Sequence, residues 1–263
     1  MQKRIKTIIM MAIMGMLMRV SPLGATVTYK AIYPLGEADA GATPAQAGNV
    51  QTNDVVGEVH LSRVGDPTYN SDSQSSLSMV FDGDDYYTTS TVPSEATDNC
   101  GMAAWVKPSS VDSFNFVLSN GSQGNRGWGL LQISGQWRII HMGISAGSES
   151  NVPVDLNEWA HVALVRQDGT STLYVNFSET DATITGNPDA PSNSFTLGAN
   201  QLSTSSFEGY FKGLIDEVLA FEFESGGFEA TDLMWNSVGT LAASDPEPPN
   251  GATDVLSDTT TSW

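Results

Sequence analysis

The most regular alternation of apolar and polar positions lies at residues 156–176, where two strand-like segments flank a turn. Side chains alternate at 160–165 and again at 172–175, which is the period of a β-strand. Asp168-Gly169 between them is the strongest short-range signal for a two-residue hairpin. A symmetric turn predicts three pairs that each place apolar groups on one face: Leu164 with Leu173, Val162 with Val175, and Ala163 with Tyr174.

The same patterning predicts short strands along most of the chain. They lie at 27–33, 76–82, from Tyr86-Tyr87 onward, 102–107, 114–118, 127–134, 136–142 and 194–197. In the last apolar stretch, 209–223, Gly213 separates a predicted bend from a predicted final strand, and 230–238 predicts one short helix. Sustained helical periodicity is missing elsewhere in the body of the chain, so we predict an all-β protein, a two-sheet antiparallel sandwich.

Residues 1–25 have the pattern of a secretory signal peptide. Three basic residues at the start precede an apolar run at 7–18, and the small residues 23–25 offer a cleavage site. Twelve apolar residues are too few to span a bilayer. We therefore expect a secreted protein, extracellular or at the cell surface, with no membrane span in the mature chain.

The rest of the chain divides into one large domain, a short connecting segment and a C-terminal linker with the start of a repeat. Residues 26–225 suffice for a single sandwich, and 226–243 are predicted as a short helix or connecting segment. Residues 244–263 start with an acidic, proline-rich linker. They continue like the opening of an immunoglobulin-like or fibronectin-like repeat. We expect the chain to be the N-terminal part of a longer multidomain protein or a truncated reading frame.

Charge and cysteine content narrow the possible partners. The chain has 30 acidic and 11 basic residues, and removal of 1–25 makes it more acidic still. Such a chain is repelled by nucleic acid and by anionic membranes. The single cysteine, Cys100, lies in a strand pattern and is predicted to be a buried thiol rather than a nucleophile.

Five motifs, in order along the chain, carry a family resemblance. They are Leu35-Gly36-Glu37; the segment 80–86 (VFDGDDY); the segment 103–108 (AAWVKP); 157–163 with 173–176 (NEWAHVA and LYVN); and 207–218 (FEGYFKGLIDEV). Together they resemble the laminin-G-like, concanavalin A-like jelly rolls, in particular the type-3 laminin-G modules of bacteria. The resemblance implies a two-sheet jelly roll whose first and last strands lie close together. Phe177 stands where the family usually has glycine, so we expect a longer turn there, closed by Ser178-Glu179.

The resemblance also implies a structural Ca²⁺ where the first and last strands meet. Carried over to this sequence, it proposes Glu37 and Asp216 as ligands, with backbone oxygens completing the shell, because hard cations prefer oxygen ligands. Asp82, Asp84 and Asp85 form a second, weaker candidate. The alternatives are a solvated acidic turn at Asp84-Asp85 and an ordinary exposed pair at Asp216-Glu217.

Aromatic side chains are the candidates for ligand contact. Trp128, Trp137 and Tyr87 are the rings least tied to a motif, and each could stack on a sugar; the alternative is that they simply pack in the core. Trp159 and His161 are predicted to be core residues.

Catalytic motifs are not evident in the sequence. The paired-carboxylate pattern of jelly-roll glycosidases is incomplete, since Glu179 and Asp181 lack a third acid. The three histidines form no zinc motif, and we expect no Gly-x-Ser-x-Gly nucleophile elbow. We therefore predict a non-catalytic recognition module for carbohydrate or an extracellular protein. The alternative is a structural spacer or adhesion module without a ligand, and a glycoside hydrolase is less favoured.

Overall fold

A computed structural model describes residues 27–111, 114–122, 126–142, 146–203 and 205–234. The predicted signal peptide at 1–25, the predicted linker and repeat at 244–263, and residues 235–238 of the predicted helix at 230–238 lie outside these residues. The strands are β1 (Thr28–Tyr33), β2 (Gln51–Thr52), β3 (Leu61–Val64), β4 (Thr68–Asn70), β5 (Ser78–Asp82), β6 (Tyr86–Thr89), β7 (Cys100–Pro108), β8 (Phe114–Asn120), β9 (Trp128–Ile133), β10 (Gln136–His141), β11 (Ala146–Pro153), β12 (Ala160–Gln167), β13 (Thr170–Val175), β14 (Ser178–Thr185), β15 (Phe195–Leu197), β16 (Asn200–Ser203), β17 (Ser206–Glu208) and β18 (Lys212–Glu222).

Two eight-stranded antiparallel sheets form a sandwich, as the sequence predicts. The first sheet has the order β14-β13-β12-β7-β18-β5-β4, with β1 also paired to β18, and the second has the order β11-β10-β9-β8-β15-β6-β3-β2. A separate hairpin consists of β16 and β17. The pairing of β1 with β18 confirms that the first and last strands are neighbours.

Tight turns fix the register of the hairpins. All three predicted pairs of the β12–β13 hairpin are present. Asp168 and Gly169 both have positive φ, 47° and 87°, as a turn of type I′ requires. The turn between β13 and β14 is equally short, because Val175 pairs directly with Ser178. The expected longer turn at Phe177 is therefore wrong: Asn176 and Phe177 adopt φ of 49° and 63°, without a glycine.

Several strands lack a sequence signature. Strands β2, β3, β4, β11, β14, β16 and β17 were not predicted, because they are short or polar, or lie at sheet edges where few positions are buried. The predicted division at Gly213 is displaced by one residue, because residues 209–211 lie outside any strand and β18 begins at Lys212. Gly213 lies within β18 and pairs with both Phe81 and Pro108. Its φ of 140° and the close approach of the Lys107 carbonyl explain why the residue is a glycine.

Large aromatic side chains fill the space between the sheets. Trp128 is 2% exposed, Trp137 1% and Tyr87 0%, and all three belong to the main core cluster. The prediction that they stack on a sugar is therefore wrong, since a fully buried ring offers no face to a ligand. The alternative, packing in the core, is confirmed. Cys100 is also buried and free, and burial raises the pKa of its thiol to about 12.

A smaller apolar cluster covers part of the outer face of the first sheet. It contains Leu219 and Phe221 of β18 together with Phe228 and Leu233. Phe228 stacks on Phe221 with ring centroids 6.1 Å apart. Leu233 ends a 3₁₀ helix, Ala230–Leu233, which is the described portion of the predicted helix. Within the described ranges, the structure contains no helix long and apolar enough to cross a membrane.

Strand β18 has an irregularity where its partner changes. It pairs with β7 along one side, and on the other side with β5 at Lys212–Ile215 and with β1 from Val218 onward. Between these two partners a β-bulge inserts an extra residue, and Glu217 takes a φ of 49°. Bulges re-aim side chains and interrupt backbone pairing, so this junction differs chemically from the rest of the sheet.

We expect Trp137→Ala to lower the free energy of unfolding by about 3–5 kcal/mol, because it leaves a large cavity in the core. Leu156→Ala is the matched control: Leu156 is 44% exposed, so its truncation should change stability by less than about 0.5 kcal/mol. Urea unfolding measures both. A Trp137→Ala protein as stable as the parent would contradict the burial described here.

Candidate functional site

The β18 bulge places two acidic side chains at the junction of β1, β5 and β18. Asp216 is 0% exposed and Glu217 2%. Burial, reinforced by the nearby carboxylates of Glu217 and Glu37, raises the pKa of Asp216 to about 8, although backbone hydrogen bonds partly offset this. The structure thus places the two predicted residues, Glu37 and Asp216, close enough for the charge of Glu37 to raise the pKa of Asp216.

The segment 71–77, which joins β4 to β5, is held by both carboxylates. Asp216 Oδ2 accepts the Gln74 N–H at 2.8 Å. Glu37 Oε1 accepts four hydrogen bonds, from the Ser75 hydroxyl, the Ser76 hydroxyl, the Ser76 N–H and the Leu77 N–H, at 2.6–2.8 Å. These bonds outweigh the effect of burial and lower the pKa of Glu37. Each carboxylate therefore has a structural role in addition to any role in binding a cation.

The chemistry of this junction fits a hard cation. A buried carboxylate whose neighbours are also carboxylates is costly unless positive charge compensates it. No lysine or arginine of the described chain forms an ion pair with Asp216 or Glu37. Carboxylate and backbone oxygens are the ligands that Ca²⁺ prefers, and two carboxylates meet at this junction.

A second acidic cluster forms on the turn between β5 and β6. Side-chain oxygens of Asp66, Asp82, Asp84 and Asp85 lie within 4.8 Å of one another. The hydrogen bond and charge of Asp82 raise the pKa of Asp84, and burial raises that of Asp85. The sequence predicted three members of this cluster and missed Asp66, which comes from the β3–β4 connection. Asp85 also has a structural role, because it accepts the Asp66 and Asp82 N–H groups.

An open groove of about 440 Å³ lies on the outer face of the first sheet. Val80 and Leu214, paired across β5 and β18, form its apolar floor. Polar side chains line it from five parts of the chain: Asn70, Asp72, Asp82, Lys107, Asn157 and Lys212. Of these only Asp82 was a candidate from sequence, and the groove also connects with the second acidic cluster through it.

Asp72 organises one end of the groove. Its Oδ2 accepts the Lys107 Nζ at 2.8 Å, and its Oδ1 accepts the Trp159 Nε1–H, also at 2.8 Å. The hydrogen bonds from Lys107 and then Trp159 lower the pKa of Asp72. The Asp72 carbonyl in turn accepts the Ser78 hydroxyl at 2.7 Å. These hydrogen bonds fix the Asp72 carboxylate, the Lys107 ammonium group and the Trp159 indole relative to one another.

Trp159 and His161 have different positions. Trp159 precedes β12 and is half-buried, so the prediction that it is a core residue is wrong. His161 is 2% exposed and stacks on Phe177 with ring centroids 4.4 Å apart, as predicted for a structural histidine. Its Nδ1 has no hydrogen-bond partner, and burial lowers its pKa to about 4.

One sequence expectation about catalysis needs correction. Residues 143–147 read Gly-Ile-Ser-Ala-Gly, so the sequence does contain a Gly-x-Ser-x-Gly pattern, contrary to the expectation of none. Residues 143–145 lie outside the described chain. The pattern leads into strand β11, whereas a nucleophile elbow leads into a helix. The motif therefore lacks the structural context of a hydrolase serine.

The sequence profile described as "Concanavalin A-like lectin/glucanases superfamily", the type-3 laminin-G family, matches residues 81–224, more than half of the chain. The chain belongs to this family. No curated protein sequence matches it. The groove and the β18 bulge are therefore features of a concanavalin A-like sandwich. This fold does not by itself determine function.

Solved structures share the fold at low sequence identity. Domain 4 of AbnA, a GH43 extracellular arabinanase from Geobacillus stearothermophilus, in complex with arabinotriose, has a TM-score of 0.56 and 19% identity over 81% of this chain and 100% of that one. The receptor-binding domain of botulinum neurotoxin type G has a TM-score of 0.51 and 12% identity over 78% of this chain and 50% of that one. Trypanosoma rangeli sialidase has a TM-score of 0.51 and 14% identity over 77% and 32%. At these identities the likeness is one of fold.

We expect His161 to make folding sensitive to acid. Its pKa of about 4 in the folded protein is below the unfolded value of about 6.5. The unfolded chain therefore binds the proton preferentially between these values, and stability falls as the pH drops from about 6.5 to 4. His161→Phe should remove on the order of 3 kcal/mol of this loss. Thermal unfolding between pH 4 and 7 tests this, and equal slopes for parent and variant would contradict it.

Proposed function

We propose that this chain is a non-catalytic carbohydrate-recognition module that binds a saccharide in the groove on its first sheet. The observation that carries the proposal is the groove itself, where an apolar floor is surrounded by amide, carboxylate and ammonium groups. Its volume of about 440 Å³ is in the usual range for ligand pockets. A sugar ring offers the matching surfaces, with C–H groups on its faces and hydroxyl groups at its edge.

The Asp72–Trp159 pair supports this assignment. Its hydrogen bond holds the half-buried indole beside Asp72, which lines the groove. An aromatic ring held in one orientation gives contact area at little cost in conformational entropy. Lys107, bonded to the same carboxylate, supplies ammonium donors beside the ring.

The chemistry of Asp72 favours binding over hydrolysis. A glycosidase needs a carboxylic acid whose pKa is raised, so that it can protonate the leaving group. The pKa of Asp72 is lowered by Lys107 and Trp159, so it remains a carboxylate and a hydrogen-bond acceptor. We therefore propose that the groove retains its ligand unchanged.

We further propose that a structural Ca²⁺ binds at the β18 bulge. Asp216 and Glu37 would hold it, with backbone oxygens. When bound, the cation supplies the positive charge that the buried Asp216 lacks among its described partners and links β18 to the segment before β5. We also propose that the module acts outside the cell, on the basis of the signal-peptide pattern at 1–25.

We expect Trp159→Ala to weaken saccharide binding about tenfold, because the ring contact and the anchor for Asp72 are lost together; tenfold corresponds to about 1.4 kcal/mol. A glycan array followed by calorimetry measures this. Arabinotriose is the first soluble probe, since it is the ligand in the Geobacillus domain. Reducing-sugar release from the same glycans tests for catalysis.

The matched control is Phe207→Ala. Phe207 is a half-buried aromatic on the β16–β17 hairpin, outside the groove, where it stacks on Tyr86 at 4.2 Å. Its removal should leave the affinity unchanged. Binding that survives Trp159→Ala would place the ligand elsewhere, and an array without any binding would favour a spacer or adhesion module. Hydrolysis of a glycan would overturn the non-catalytic assignment.

We expect Ca²⁺ to raise the melting temperature relative to chelator, since a ligand at 100 times its Kd stabilises by about 2.7 kcal/mol. Asp216→Asn should abolish the shift. Asp84→Asn should retain it, which separates the bulge from the acidic cluster around Asp85. Equal melting temperatures of the parent with calcium and with chelator would rule out the site, and loss of the shift only in Asp84→Asn would transfer it to the second cluster.

A further inference from the structure

The segment 71–77 connects the groove with the junction of Glu37 and Asp216. At one end Asp72, which lines the groove, accepts hydrogen bonds from Lys107 and Trp159. Gln74 then donates to Asp216 at 2.8 Å. At the other end Ser75, Ser76 and Leu77 all donate to Glu37.

The direction of dependence follows from what each carboxylate contacts. Glu37 and Asp216 do not line the groove, so neither is a groove contact itself. Their acceptor oxygens instead fix the backbone within two to five residues of Asp72. Charged acceptors form stronger hydrogen bonds than neutral ones, so these bonds determine where the segment lies on the sheet.

We propose that Glu37 and Asp216 are positioning residues for the groove: by holding the segment 71–77 they fix Asp72, and through it Lys107 and Trp159, in the arrangement that the saccharide meets. This proposal rests on the proposed function of the groove. It adds that the two acidic residues control affinity at a distance and do so whether or not a cation is bound. A cation bound between them would tighten the same segment, and linkage requires that saccharide and cation then strengthen each other's binding by an equal factor.

The first test needs no saccharide. We expect Glu37→Ala to increase acrylamide quenching of Trp159, read as the difference from a Trp159→Phe background, and to speed hydrogen exchange at 74–77. Glu37→Gln keeps an acceptor oxygen and should restore most of the protection. Glu149→Ala is the matched control, because it removes an exposed carboxylate that is ion-paired with Arg138 on the other sheet. Addition of Ca²⁺ alone should reduce the quenching in the parent and not in Asp216→Asn.

The second test is a double-mutant cycle read by arabinotriose affinity. Glu37→Ala should weaken binding by about fivefold or more, and this effect should fall below about twofold in an Asp72→Asn background, where the positioned group has already been changed. Unchanged quenching and exchange in Glu37→Ala would overturn the proposal, as would an equal loss of affinity in both backgrounds. If the parent does not bind arabinotriose, the proposed function is contradicted for that sugar. The quenching and exchange results still decide whether Glu37 positions Trp159.

Discussion

Strand β18 has to pair with two strands end to end on one side while it pairs with β7 along the other, and the rest of the candidate site depends on this constraint. Where the partner changes from β5 to β1, an extra residue is inserted and Glu217 takes a positive φ. The bulge turns Asp216 toward the segment before β5. That segment then follows a path set by carboxylates rather than by strand pairing, and its path brings Asp72 to the groove.

The sequence predicts most of the central strands because their side chains alternate between core and surface. The β12–β13 hairpin is predicted to the residue, since Asp168-Gly169 permits one register that keeps Val162 and Leu164 on the core side. The missed strands are different. Strand β14 has only two buried positions, Ala182 and Ile184, and it follows a turn at Phe177 whose sequence is not typical of a tight turn. Edge strands of this kind are held by their neighbours, which no local pattern records.

The site could be predicted only where a family motif carries it. Glu37 and Asp216 belong to such motifs, and the structure brings them together at the bulge. Asn70, Asp72 and Asn157 could not be found, because each lies in a polar connection or at its edge and they meet only when β4, β5, β7 and β18 are side by side. The prediction that Trp128 and Trp137 contact a ligand was wrong for a different reason. Trp128 and Trp137 lie on strands whose pattern allows either face to be buried, and the position of the second sheet decided it.

The two carboxylates at the bulge differ in what they cost and what they provide. Glu37 accepts four hydrogen bonds that outweigh the effect of burial on its charge, so its main effect is on the backbone of Ser76 and Leu77. Asp216 is buried, and its raised pKa means that its charge opposes folding at neutral pH. A residue that costs stability in the absence of a partner persists where a bound group or a necessary geometry compensates it. Both kinds of compensation apply to Asp216, because the carboxylate that can hold a cation also fixes Gln74, two residues from Asp72.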